Sequence, residues 1–189
     1  MTREDAYKLL AEFTKNPNLV KHALSVEAAM RAYAKKLAED EEKWAIVGLL
    51  HDFDYEIHPT AEEHPSKGAD ILRERGYSEE VVRAVLSHAN HMGLTRETPM
   101  EKALYAVDEM TGFITAVALV RPNKSILEVE PKSVKKKMKD KAFARQVSRE
   151  DMVQSAEQLG VDLTEHISFV IEAMKGIAGQ LGLQGTSSA

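Results

Sequence analysis

Apolar residues recur every three or four positions through most of this chain, and that helical spacing is the feature that most restricts its fold. In residues 17–37, for example, Leu19, Val26 and Ala29 fall on one face of a helix. Residues 100–120 are apolar nearly all round, which is typical of a helix at the centre of a domain. No segment shows the alternation of a strand, and no internal repeat is present. The sequence therefore predicts an all-α protein, a compact multi-helix bundle.

Capping residues, prolines and glycines set the expected helix boundaries. Thr2 is a candidate N-cap, Pro17 and Pro65 suit the first position of a helix, and Gly76 suits a helix end. The predicted helices are residues 2–14, 17–37, 44–51, 65–76, 78–88, 100–120, 131–145, 148–159 and 163–181. The polar stretch 52–63 is expected to be a loop, and residues 93–99 a connection.

Length and composition favour one soluble domain. The chain has 189 residues, and we expect a single domain over residues 1–184 with a flexible tail at 185–189. There are no cysteines, so any metal must be bound by histidine and carboxylate side chains. The first residues lack the apolar core of a signal peptide, and no window is apolar enough to span a membrane. These features predict a cytoplasmic protein that does not contact membranes.

Several polar residues interrupt the apolar faces of different helices. A lone histidine on such a face is more often a hydrogen-bonded core residue than a ligand. Here, however, four predicted helices and one helix start each contribute a candidate. Burying imidazoles and carboxylates is costly unless a charged or hydrogen-bonding group meets them, and a divalent cation satisfies both kinds. The candidates are His22, His51, Asp52, His64, His88 and Asp108.

The charges of these candidates suit one or two divalent ions. Two imidazoles and two carboxylates, from His22, His51, Asp52 and Asp108, would neutralise one divalent cation and leave positions for water. A second cation, held by His64 and His88 with Asp52 as a bridge, would leave the cluster with net positive charge. Such a cluster would attract a phosphate dianion.

The order of these residues along the chain resembles that of the HD-domain superfamily of metal-dependent phosphohydrolases. The resemblance covers roughly residues 16–120, with a histidine, a His-Asp pair and an aspartate on successive helices. By this likeness His22, His51, Asp52 and Asp108 take the roles of ligands to the first metal. His64 in the motif His64-Pro65-x-x-Gly68, together with His88, resembles the second-metal ligands of the two-metal branch.

The resemblance implies a metal-dependent phosphohydrolase that uses one or two divalent ions, chosen from Mn, Fe, Ni, Co, Mg and Zn. The expected reaction is cleavage of a phosphate ester of a nucleotide or small phosphorylated metabolite by a metal-activated water, with Asp52 positioning that water. After the His-Asp pair the chain has Phe53-Asp54-Tyr55 rather than the Ile-Gly-Lys of many members that cleave cyclic dinucleotides, which argues against that substrate.

Two alternatives remain open from the sequence. The superfamily includes di-iron oxygenases that use the same six ligand types, so the ligands alone do not determine the reaction. A non-catalytic metal-binding or partner-binding helical module is the other alternative, and a complete ligand set argues against it.

The roles of several other polar residues stay open, and most of these residues have two interpretations. Lys67, in the first turn after His64, either binds a phosphate oxygen and acts as a catalytic residue or is solvated. His91 either contacts substrate or lies on the surface, and His166 is expected to be structural. Asp54 and Glu56 either orient the ligands or face water.

Residues 131–145 carry a charge of +6 within a chain whose net charge is −5. This segment either flanks an anionic substrate, binds nucleic acid, or forms a solvated helix face. No aromatic or glycine pattern accompanies the lysines, so we expect the solvated face and consider nucleic acid an unlikely partner.

Overall fold

The computed structural model describes residues 1–185, and these residues form an all-α protein, as the sequence predicts. Within them the only extended pairing is an isolated bridge between Ser125 and Gln184. The α-helices are α1 (Arg3–Phe13), α2 (Pro17–Leu37), α3 (Glu41–Leu50), α4 (Ser66–Glu74), α5 (Glu79–His88), α6 (Pro99–Leu119), α7 (Pro131–Met138), α8 (Arg149–Leu159), α9 (Leu163–Lys175) and α10 (Ala178–Leu181). Two short 3-10 helices lie at Asn90–Met92 and Ile126–Glu128.

Most helix starts follow the predicted caps. The Thr2 side chain accepts a hydrogen bond from the Asp5 amide, and the Thr2 amide donates one to the Asp5 carboxylate, which completes a capping box. Ser78 and Ser148 cap α5 and α8 with their hydroxyl oxygens, which accept from the amides of Val81 and Asp151. Pro65 is the exception, because it is the N-cap of α4 rather than its first helical residue.

Two predicted helices are shorter than expected. The helix predicted for residues 131–145 ends at Met138, and the following turns are held by the Arg149 guanidinium, which donates to the carbonyls of Ala144 and Val147. The last predicted helix is divided into α9 and α10. Gly176 ends α9, and Ile177 has a non-helical φ of −119°. Glycine is a poor helix former, which explains a break at that position.

The chain forms two compact units, Met1–Tyr105 and Ala106–Ala189. In the first unit α3 is the most buried element, with every residue from Trp44 to Leu50 inaccessible or nearly so. Helices α1, α2 and α5 pack against α3, and α4 packs against α5. In the second unit α9 packs against α7, α8 and the 3-10 helix Ile126–Glu128.

The single domain expected for residues 1–184 stays a prediction. Of the expected tail, only Gly185 falls within the described residues. No helix in the described part of the chain is both long enough and apolar enough to cross a membrane.

One glycine brings α2 and α3 together. A Cβ atom added to Gly48 would lie 2.8 Å from the Glu27 Cα atom and 2.9 Å from the Glu27 amide nitrogen. Only glycine allows the two backbones to come this close. This contact matters for function, because α2 carries His22 and α3 leads directly into His51.

Candidate metal centre

The six predicted ligands come from five segments of the chain. His22 lies on α2, His51 is the C-cap of α3 and Asp52 follows it directly. The other three are His64 just before α4, His88 as the last residue of α5, and Asp108 on α6.

These side chains fall into two groups in which the possible ligand atoms all lie within 4.8 Å of one another. The first group is His22, His51 and Asp108, and the second is Asp52, His64 and His88. The residues expected from the sequence are thus brought together as two adjacent triads. Their role as metal ligands stays a prediction.

Asp52 faces both groups, one carboxylate oxygen to each. Its Oδ1 atom lies 3.2 Å from His64 Nε2 and 3.2 Å from His88 Nε2. Its Oδ2 atom lies 3.6 Å from His51 Nε2, which is in turn 3.2 Å from His22 Nε2. Asp52 therefore lies between the two groups, and its expected role as a bridge between two cations stays a prediction.

Hydrogen bonds at the far side of three imidazoles fix which nitrogen faces the centre. His51 Nδ1 donates to the Gly48 carbonyl at 2.9 Å, and His88 Nδ1 donates to the Val85 carbonyl at 2.5 Å. His64 Nδ1 donates to the Asp54 carboxylate at 2.9 Å. Because carbonyl and carboxylate oxygens only accept, each Nδ1 carries a proton and each Nε2 faces Asp52, where it has a lone pair whenever the ring is neutral.

The second group needs a cation or a proton between its side chains. With their protons on Nδ1, neutral His64 and His88 present lone pairs to the Asp52 carboxylate, and these acceptors would repel one another unless a cation or a proton lies among them. Two nitrogens that bind one ion at about 2.1 Å lie roughly 3.0 to 3.4 Å apart. The His22–His51 and His64–His88 Nε2 separations of 3.2 and 3.4 Å fall in that range. The residues present therefore fit divalent metal ions.

The pKa values of Asp52 and His64 show how strongly the second group favours positive charge beside its carboxylate. Burial alone would raise the pKa of Asp52, but His51 and the hydrogen bonds with His64 and His88 hold it well below its ordinary value. Burial alone would lower the pKa of His64, but the carboxylates of Asp52 and Asp54 raise it to about 9. Asp52 is thus a permanent anion, and without metal His64 keeps a proton at neutral pH.

Three of the six predicted ligands are less buried than their positions on apolar helix faces predict. His51 is fully buried and His64 and His88 nearly so, but His22, Asp52 and Asp108 are only half-buried. The Asp52 side chain is 23% exposed. This exposure leaves room for water or a substrate to approach the Asp52 carboxylate.

Asp54 orients His64 from behind. Its side chain is completely buried, with Oδ1 accepting from His64 Nδ1 and Oδ2 accepting from the Gly68 amide at 2.9 Å. A Cβ atom on Gly68 would lie 2.6 Å from the Asp54 Cγ atom, so glycine is needed for the carboxylate to fit. Of the two interpretations left open for Asp54, the contacts favour the orientation of a ligand.

The turn that carries Asp52 and Asp54 is tied to the segment before α2. Thr14 donates its hydroxyl to the Phe53 carbonyl at 2.8 Å. Glu56 accepts from the backbone amides of Lys15 and Asn16 at 2.7 and 2.9 Å. The Glu56 carboxylate therefore holds the backbone of the turn.

The other singled-out residues have simpler surroundings. Lys67 is exposed in the first turn of α4, so its predicted catalytic role stays a prediction. His91 is exposed, and its Nε2 donates to the His64 carbonyl at 2.9 Å. His166 is buried and its Nε2 donates to the Ala106 carbonyl at 2.8 Å, as expected of a structural histidine.

Comparison with known protein families matches residues 19–151 to the HD domain. The chain belongs to the HD domain family. The match begins before His22 and ends after Asp108, so it includes all six predicted ligands. This HD domain carries two His/Asp clusters of the kind that binds divalent metals.

Relatives of this HD domain are found among ribonucleases. Ribonuclease Y of Thermotoga maritima is 26% identical over 176 residues, which cover 87% of this chain and 35% of the relative. Ribonuclease Y of Nitratidesulfovibrio vulgaris is 28% identical over 113 residues, covering 57% of this chain and 21% of the relative. The chain therefore spans about a fifth to a third of the length of these curated relatives. No solved structure matches the chain.

Proposed function

We propose that this protein hydrolyses a phosphate ester of a nucleotide or another small phosphorylated metabolite. The observation that supports this most strongly is the position of Asp52, with one carboxylate oxygen toward each triad. Two cations held on either side of one carboxylate form a clamp that suits the displacement of a group from phosphorus.

In this proposal the chain's own residues bind and orient. His22, His51 and Asp108 would hold one cation, and His64 and His88 would hold a second, with Asp52 serving both. When bound, the cations would lower the pKa of a water molecule to near neutrality and offset the negative charge of the phosphoryl oxygens. Asp52 remains ionised, so its free lone pairs can orient that water toward phosphorus. Lys67 is proposed to contact a phosphate oxygen from the first turn of α4.

Nucleic acid belongs among the substrates to be tested. The expectation from composition was that nucleic acid is an unlikely partner, but the relatives are named as ribonucleases. That name describes those much longer proteins. For this chain, an RNA phosphodiester is one member of the broader class of nucleotide phosphate esters.

The test is a substrate screen on protein stripped of metal and reconstituted with Mn²⁺, Co²⁺ or Ni²⁺. The panel contains nucleotides, a short single-stranded RNA and base-free phosphate esters, and the measurement is phosphate release or RNA cleavage. We expect metal-dependent hydrolysis that is lost in Asp52→Ala. Recording dioxygen uptake of iron-loaded protein in parallel tests the oxygenase alternative. Dioxygen consumption without hydrolysis of any ester would contradict the proposal.

A further inference from the structure

Tyr55 places an exposed aromatic ring directly beside the second triad. Its ring centroid lies 5.3 Å from that of His64, with the two planes at 85°. Despite this contact 42% of the residue is exposed. The Tyr55 amide donates to the Asp52 carbonyl at 3.0 Å, so the turn that fixes the bridging carboxylate also fixes the base of this side chain.

Most other aromatic side chains of the described residues are buried or half-buried. Tyr7 is the other exposed ring, and the Arg3 guanidinium covers it at 5.2 Å from the centroid. Tyr55 thus differs from Tyr7 in lying against a predicted ligand. Ile57, two residues further along the same turn, is 47% exposed and adds apolar surface there. An exposed ring in contact with His64 offers apolar surface that a ligand bound at the second triad could cover.

The chemistry of the two surfaces together describes a particular kind of ligand. The triads with their cations would hold a phosphate, and the adjacent ring offers a π-face to a planar group attached to that phosphate. A nucleotide carries both parts, with a sugar between them. Base stacking on aromatic side chains tolerates any base, so it defines a substrate class without defining a sequence.

We infer that Tyr55 is the stacking platform for the base of a nucleotide whose phosphate lies at the two triads. This inference rests on the proposed function and narrows its substrate class to base-carrying phosphate esters. Tyr55 is then a specificity-determining residue. A small phosphorylated metabolite without a planar group would gain nothing from it.

The test compares the binding of adenosine 5′-monophosphate with that of inorganic phosphate, by equilibrium dialysis against Mn²⁺-loaded protein. We expect wild-type protein to bind the nucleotide at least tenfold more tightly than phosphate. Tyr55→Leu should reduce that preference by about 10- to 100-fold, the range that stacking contributes. Tyr55→Phe and Tyr55→Trp retain a ring and should keep the preference. Tyr7→Leu is the matched control and should leave binding of both probes unchanged.

Three results would overturn the inference. The first is a wild-type protein that binds the nucleotide no more tightly than phosphate, and the second is a preference that survives Tyr55→Leu. The third is loss of bound Mn²⁺ in Tyr55→Leu, which would make the ring a support for His64 instead. The experiment measures binding, so it tests the role of Tyr55 whether or not the protein hydrolyses an ester. A wild-type protein that hydrolyses no ester would count against the proposed function alone.

Discussion

At the scale of single residues, His64 depends on two carboxylates for its orientation and its charge. Asp52 lies 3.2 Å from its Nε2 atom, and Asp54 accepts from its Nδ1 atom at 2.9 Å. The Asp54 contact fixes the His64 ring so that its Nε2 atom faces Asp52 and His88. Histidine ligands commonly need such a partner, and its loss typically lowers metal affinity 10- to 100-fold, roughly.

We predict that Asp54→Ala weakens binding of one of two Mn²⁺ ions by about 10- to 100-fold and leaves the other nearly unchanged. The reason is that His64 loses its acceptor while His22 and His51 keep their surroundings. Equilibrium dialysis against Mn²⁺ with elemental analysis measures both affinities. Gly68→Ala should have the same effect, because its Cβ atom would displace the Asp54 carboxylate.

Asp70→Ala is the control for this experiment. Asp70 is exposed on the same helix as Gly68 and pairs only with Arg73 among the described residues, so its removal should leave Mn²⁺ binding intact. Equal affinities in Asp54→Ala and wild-type protein would show that Asp54 does not orient a ligand.

The raised pKa of His64 predicts how metal binding depends on pH. In metal-free protein His64 keeps its proton up to a pKa of about 9, and that proton must leave before Nε2 can bind a cation. Affinity for Mn²⁺ should therefore still rise between pH 7 and 8.5, by roughly tenfold per pH unit while one proton is displaced. A histidine with an ordinary pKa of about 6.5 would give a plateau by about pH 7.5.

Electron paramagnetic resonance of free Mn²⁺ across this pH range measures the dependence. Asp54→Asn removes one of the two negative charges beside His64, so its affinity should level off at lower pH than that of the wild type. A wild-type plateau already reached at pH 7.5 would be inconsistent with the raised pKa.

At the scale of secondary-structure elements, the first triad depends on how closely α2 and α3 approach. Gly48 lets the α3 backbone contact the α2 backbone at Glu27, with 2.8 Å between the Glu27 Cα atom and an added Cβ. The His51 side chain donates to the Gly48 carbonyl itself. The glycine thus sets both the helix spacing and the orientation of a ligand.

We predict that Gly48→Ala lowers the free energy of unfolding by about 1 to 3 kcal/mol, because the added methyl group forces the two backbones apart. It should also weaken metal binding to His22 and His51. Thermal and urea denaturation with and without Mn²⁺ measure these effects.

Gly112→Ala is the matched control, since Gly112 is also within a helix and an added Cβ there meets no atom within 4 Å. This control should leave stability unchanged or raise it by up to about 1 kcal/mol. If both variants are equally stable, the close contact at Gly48 does not limit the packing.

Helix boundaries and side-chain partners also differ in how well the sequence predicts them. Boundaries marked by local chemistry were predictable, since Pro17 opens α2 and Ser148 caps α8 through a single side chain. The turns after Met138 were not, because their carbonyls are satisfied by Arg149 from a later segment. The partners of Asp54 were missed for the same reason, as its contact with the Gly68 amide joins residues 14 positions apart. The Asp-x-Asp pattern of Asp52-Phe53-Asp54, directly after His51, is the signal that the sequence offers for Asp54.

At the scale of the whole molecule, an acidic protein is expected to act on an anion. The net charge of −5 repels phosphates at long range, so attraction must come from local positive charge at the triads. The HD domain match over residues 19–151 extends beyond the range of 16–120 inferred from the motif, because the sequence pattern ended at its last ligand, Asp108. The full activity of the longer relatives remains a proposal for this chain.

The most direct test of the central claim is anomalous scattering from crystals of the full chain grown with saturating Mn²⁺. We expect two anomalous peaks, one beside His22, His51 and Asp108 and one beside His64 and His88, with Asp52 between them. A single peak, with His64 and His88 turned away from Asp52, would contradict the two-metal centre. The absence of any peak at these side chains would contradict the metal centre altogether.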